Sequence, residues 1–241
     1  MEASGAALPA LSFTVEGAEP VPYSATPQLA LRVRVTNGGG PVHAVALDAQ
    51  VRIDAQRRRY GAGEKDRLVE LFGEPSRWPS TLRSLLWTHA SVSVPPFQDE
   101  VAVDLPVPCT ADFTALAGKY FAGLDEPDRA DGPPPRPVPI SVLFSGTVFY
   151  AGGGGALQVA RVPWTAEATY EIPVATWRGV LDHHYPNTAW LTLRRDVFER
   201  LYAFKRRRGL LSWEDVLEAL LETAGDEAEP AEGPHNNGRL R

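Results

Sequence analysis

The chain has 241 residues, 44% of them hydrophobic and 22% charged, with a formal net charge of −6. That is ample apolar material for one large packed domain or a domain with an appendage, and the acidic balance excludes a general nucleic-acid binder, whose phosphate contacts need a basic face. The single cysteine, Cys109, excludes an internal disulfide and a cluster held by cysteines alone.

The N-terminal stretch "MEASGAALPALSF" lacks the basic region and apolar run of a secretory signal. No window approaches the roughly 18 uninterrupted apolar residues of a spanning helix. The expectation is a soluble cytoplasmic protein without membrane insertion, with residues 1–10 flexible. Period-two patterning then dominates to about residue 174. In "LALRVRVTN", Leu29, Leu31, Val33 and Val35 alternate with Arg32 and Arg34, which predicts a strand with one wet face. "VHAVALDAQVRID" repeats the pattern, and the intervening "NGGGP" predicts a long hairpin.

"GEKDRLVELFG" places Leu68, Val69, Leu71 and Phe72 on one helical stripe that Gly73 stops, and "PSTLRSLLW" adds a short turn. "THASVSVPPF" and "DEVAVDLPVP" are two further strands. "DFTALAGKYFAGL" carries apolar residues at helical spacing, with Thr110 or Asp112 as cap; a strand is the alternative reading. "DEPDRADGPPPRPVP", residues 125–139, reads as a mobile loop of polyproline character. "VPISVLFSGTVFYAG" alternates poorly and suits a strand buried on both faces. "LQVARVPW" and "AEATYEIPV" close the β pattern, each ended by proline.

From residue 175 the period becomes helical. "VATWRGVLDHHYP", "RRDVFERLYAFKRRRG" and "SWEDVLEALLETAG" are three helix candidates, the last opened by a capping box of Ser212 and Asp215. Residues 226–241 form an acid-rich tail with little to bury, so disorder is expected there. The expected architecture is mainly β with C-terminal helices (α+β). An antiparallel β-sandwich over 11–174, carrying helical insertions, is followed by a helical region over 175–225 packed on it.

Few residues suggest chemistry. Asp182, His183 and His184 stand together, but adjacent helical residues point about 100° apart, and no other cluster completes a metal shell. The simpler reading is a helix C-terminus, where such side chains suit free carbonyls and Pro186 blocks continuation. Cys109, near a helix start, is a candidate nucleophile or else a small buried residue. "AGGGGAL" lacks the Lys-Ser/Thr of a phosphate loop. No cofactor is expected, and no stoichiometric zinc, nickel or iron.

Two arginine runs remain. In "FKRRRG" the charges complement a helix C-terminus. "QRRRY" has no such reason, so Arg57, Arg58 and Arg59 are candidate contacts for an anionic partner surface. Arg77 and Trp78, in the irregular stretch "GEPSRWPSTLRSLLWTH", are further candidates because Trp and Arg are favoured at protein–protein hot spots.

The stretches "LFGEPSRWPSTLRSLLWTH", "VDLPVPCTADF", "LFSGTVFY", "VPWTAEATYEIPVATWR" and "YPNTAWLTLRRDVFERLYAFKRRRGL" resemble an uncharacterised bacterial family of unknown function. Its members tend to be encoded beside uptake nickel–iron hydrogenase genes. The resemblance runs from about Leu11 to Glu222 and transfers no site residue. It implies an accessory role, with a protein partner such as a hydrogenase subunit or maturation factor. The reading is therefore a non-catalytic interaction protein. The alternative is an enzyme with dispersed residues in a cleft between sandwich and helices, near His183, His184 or Cys109.

Overall fold

The computed structural model describes residues 8–109, 111–125, 134–184 and 193–226. The expected tail, most of the 125–139 loop, the Thr110 cap and Pro186 lie outside the described residues. The chain divides into two compact units, Met1–Thr188 and Ala189–Arg241.

The first unit is built on antiparallel strands. One sheet contains β1 (Leu11–Pro20), β2 (Gln28–Asn37) and β5 (Glu100–Pro108), in the order β1-β2-β5. The other is β4 (Leu85–Val94), β3 (Val42–Ile53) and β6 (Val138–Ala151) in that order. Two further strands, β7 (Leu157–Arg161) and β8 (Glu167–Ile172), pair with β6 beyond β3. Alternation decides which way each strand faces. Leu29, Leu31, Val33 and Val35 of β2 are all fully buried, as are Val45, Val51 and Ile53 of β3. The sheets share this core, and Phe13 of β1 stacks on Phe144 of β6 with centroids 4.5 Å apart. The architecture is thus the expected antiparallel sandwich with helices.

One expectation of the strand pattern is corrected. β2 and β3 do not form a hairpin: β2 pairs with β1 and β5, whereas β3 pairs with β4 and β6. "NGGGP" instead carries the chain from one sheet to the other. Asn37 stabilises this crossing, donating to Gly40 O at 2.9 Å and Gln98 O at 2.8 Å and accepting from the N–H groups of Ala10 and Gly39. Glycine-rich turns tolerate an arch between sheets as well as a hairpin, so local sequence does not separate the two. β1 shows little alternation in its sequence, because only Phe13 and Val15 mark its buried face before a register shift between Val15 and Gly17.

β6 is long enough to hold two neighbours on one edge. Val138–Leu143 pairs with β8 and Thr147–Ala151 with β7. Gly146 lies between these segments at φ +141°, and a Cβ there would stand 2.1 Å from Ala46 O. We expect Gly146→Ala to cost about 2–3 kcal/mol through left-handed backbone strain and displacement of β3. Urea denaturation measures this; an unchanged midpoint would show that β6 does not need the bend.

Helices fill the connections. The single helix expected over residues 63–73 is divided into α1 (Ala62–Arg67) and α2 (Val69–Phe72) at buried Leu68, followed by α3 (Trp78–Thr81). α4 (Ala111–Asp125) precedes β6, and α5 (Val174–His184) follows β8 and packs against β1, β2 and α4. Trp177 of α5 stacks on Phe121 of α4 at 4.8 Å and 7°, with Trp87 of β4 closing the cluster.

The second unit is a helical pair, α6 (Arg195–Arg208) and α7 (Trp213–Asp226). Gly209 ends α6 in the left-handed conformation. The Ser212–Asp215 box opens α7: Asp215 N–H donates to Ser212 Oγ at 2.9 Å, and Ser212 N–H to Asp215 Oδ2 at 3.0 Å. The sequence pattern groups all three C-terminal helices from residue 175; the unit boundary at Thr188 leaves α5 with the sheets.

Candidate functional site

The end of β3 leads into a 3₁₀ turn, Ala55–Arg57, and then into the arginine run. The three arginines are not equally exposed. Arg57 and Arg59 are exposed, whereas Arg58 is only 7% exposed. Arg58 makes a bidentate pair with Glu64, at 2.9 Å and 2.7 Å, and also donates to Arg136 O at 2.9 Å and Pro137 O at 3.3 Å. It fastens the start of α1 to the segment entering β6. Contact with a partner is thereby corrected for Arg58: its donors are spent inside the fold.

Glu64 is held from two sides. Burial alone would raise its pKa, but hydrogen bonds from Arg58 and Gly61 N–H, with the charges of Arg58 and Arg67, outweigh burial and lower it. Glu64 lies three residues after Gly61, the N-cap of α1, and accepts its N–H at 2.9 Å. That spacing is half of a capping box and was legible in "GAGE". The ionic partner was not, because Arg58 precedes the helix.

Trp78 is corrected in the same way. It is 6% exposed, its indole N–H donates to Gly73 O at 2.8 Å, and its ring meets Tyr60 at 5.2 Å and Phe72 at 5.7 Å. Tyr60 OH hydrogen-bonds Tyr120 OH at 2.7 Å, and burial pushes the Tyr60 phenol up to about 12. Arg77, beside Trp78, is exposed. The ring contact between Tyr60 and Trp78 therefore draws together two segments that each carry exposed arginine: Arg57 and Arg59 on one, Arg77 on the other. Arg57 also lies 3.6 Å from buried Asp54, which accepts from Ser84 Oγ at 3.1 Å and from Ser141 Oγ.

The catalytic candidates are otherwise occupied. Cys109 is fully buried, its thiol faces Val107 O at 3.5 Å, and burial pushes its pKa up to about 12. A thiol so placed holds a negligible thiolate fraction at neutral pH and is a poor nucleophile. His183 and His184 form the last turn of α5 and bind the loop after β1. Tyr23 N–H donates to His183 Nε2 at 3.4 Å, and His184 Nε2 lies 3.2 Å from Ser24 Oγ. Tyr23 adopts φ +60° in this loop. Among the described residues no group of three or more His, Cys, Asp or Glu side chains is arranged to hold a metal ion. No described helix is long and apolar enough to cross a membrane.

A groove of about 480 Å³ crosses the outer face of the β1-β2-β5 sheet. Glu16, Glu19, Arg32 and Asp104 supply its charges, but Glu16 is already paired with Arg34 at 2.5 Å.

No curated protein matches the sequence. Among solved structures the chain is similar to a β-glucosidase from Kluyveromyces marxianus, at 11% identity and TM-score 0.24, covering 68% of this chain and 15% of that one. It is also similar to β-glucosidase 3B from Thermotoga neapolitana, at 12% identity and TM-score 0.25, covering 68% and 17%. The putative ApaA protein of Bordetella pertussis is 16% identical, with TM-score 0.23 and coverage of 68% and 95%. The chain thus spans under a fifth of either glucosidase, and at these TM-scores the likenesses carry no inference of activity. One family model matches residues 8–229, nearly the whole chain, and takes in both units. The chain therefore belongs to the Family of unknown function (DUF6084).

Proposed function

We propose that the protein is a non-catalytic accessory factor of the cytoplasm that binds a protein partner, supporting nickel–iron hydrogenase assembly or maturation. One observation carries the binding surface. Exposed Arg57, Arg59 and Arg77 flank a rigid base made by the Arg58–Glu64 pair and the Tyr60–Trp78 contact. A rigid base lowers the entropy lost on binding, and guanidinium groups suit carboxylates on an acidic partner. The hydrogenase connection rests on the resemblance of the five sequence stretches to a family encoded beside those genes.

The test combines capture and mutation. Affinity purification from the native host, followed by mass spectrometry, should recover a hydrogenase subunit or maturation factor. The variant Arg57→Gln, Arg59→Glu, Arg77→Glu should then lose most of that capture. Arg57 is neutralised rather than reversed because a second carboxylate beside Asp54 would disturb folding. Exposed substitutions change stability by about 0.5 kcal/mol or less each, so the melting temperature should hold. Undiminished capture by a well-folded variant would remove the arginines from the interface, and capture without any hydrogenase component would overturn the assignment.

A further inference from the structure

The α6–α7 pair leaves much of its apolar surface exposed. Among the described residues of the two helices only Val216 is fully buried, while Leu221 is 71% exposed, Tyr202 49%, Phe198 45% and Leu217 42%. At about 100° per residue, Leu217 and Leu221 adjoin on α7, and Phe198 and Tyr202 adjoin on α6. Phe198 and Tyr202 also meet Trp213 at 5.2 Å and 6.3 Å, so the two apolar strips meet through that ring near the turn. The turn itself is firmly built. Lys205 Nζ donates to Leu210 O at 2.9 Å and Ser212 O at 3.2 Å and lies over the Trp213 ring.

Charge identifies the partner for this face. α6 carries six basic and two acidic side chains, whereas α7 carries five acidic and no basic ones. Among the described residues no ion pair joins the two helices; Arg195 pairs with Glu199 of its own helix. On α6, exposed Arg195 and Arg206 border the apolar strip beside Tyr202. On α7, exposed Glu214 and Glu218 border it beside Leu221. A twofold axis places α6 of one copy against α7 of the other, twice over. Both apolar strips are then covered and both borders neutralised.

We infer that this unit is a dimerisation module, in which α6 and α7 of two copies associate as an antiparallel four-helix bundle. The inference is independent of the arginine surface on the first unit. It is tested on the full chain by sedimentation velocity over a dilution series, with thermal melting to confirm folding. The wild type should show a reversible dimer that weakens as salt screens the border charges. Leu221→Glu with Leu217→Glu should give a monomer with the melt of the first unit unchanged. Reversal supplies the sharper arm. Glu214→Lys with Glu218→Lys, and separately Arg195→Glu with Arg206→Glu, should each be monomeric alone. Mixed, the two chains should form a heterodimer, because each then offers the opposite sign at both borders. A wild type that stays monomeric overturns the inference. So does a dimer that survives the leucine replacements, or reversed chains that fail to pair when mixed.

Discussion

Arg58→Ala is expected to destabilise the first unit by about 3–5 kcal/mol, the range for removing one partner of a buried ion pair. The loss has two sources. Glu64 would be left with a buried negative charge, and the carbonyls of Arg136 and Pro137 would lose their donor. The first source depends on pH, and its sign can be worked out. In the wild type the Glu64 carboxyl titrates below its ordinary range of about 4.3. The pair therefore contributes fully above that range, and its contribution disappears as pH falls through the lowered value. In the variant the unpaired carboxyl takes up a proton more readily and sheds its buried charge. The stability difference between the two proteins should be largest near neutrality and narrow in acid. Urea unfolding at pH 7 and near pH 4 measures it. A difference that is small at pH 7, or that widens in acid, would show that Glu64 is not held by Arg58. Arg57→Ala provides the contrast: its side chain is exposed, and a change within about 0.5 kcal/mol is expected.

Trp177→Ala should cost a similar amount, about 3–5 kcal/mol, as large-to-small replacements of buried aromatics do. The ring lies flat on Phe121 and edge-on to Trp87, so its removal opens a cavity among α4, α5 and β4. The indole nitrogen of Trp87 is buried with no hydrogen-bond partner among the described residues. α5 should loosen first, and with it the hold of His183 and His184 on Tyr23 and Ser24. Thermal melting should show a fall of about 10 °C for a unit of this size. Amide exchange should rise in both α5 and the loop after β1. A rise confined to α5 would mean that the histidines do not secure that loop, and an unchanged melt would mean that α5 is dispensable to the core.

Tertiary structure reassigned several residues whose types had suggested contact or chemistry. The basic run suggests Arg58 as a contact for an anionic partner and hot-spot preference suggests Trp78, yet both are buried. Nothing in "QRRRY" distinguishes its middle arginine; the distinction arises because Glu64 returns on α1 and the Arg136–Pro137 carbonyls approach from 78 and 79 residues away. Cys109 sits near a helix start, a setting that lowers a thiol pKa, but complete burial dominates and raises it. The histidine pair follows its simpler reading as a helix end; the loop it holds lies 160 residues earlier in the chain.

Sequence alone determined what depends on period and local capping. Alternation in "LALRVRVTN" and "VHAVALDAQVRID" set the buried faces of β2 and β3, because a strand that slips by one residue exposes its whole apolar row. Gly209 and the Ser212–Asp215 box set the turn between α6 and α7, because caps act within a few residues. Sheet membership was decided only in three dimensions. Asn37–Gly40 could close a hairpin or cross between sheets, and the choice falls to the crossing because Asn37 binds Ala10 and Gln98, partners that only the folded sandwich brings within reach.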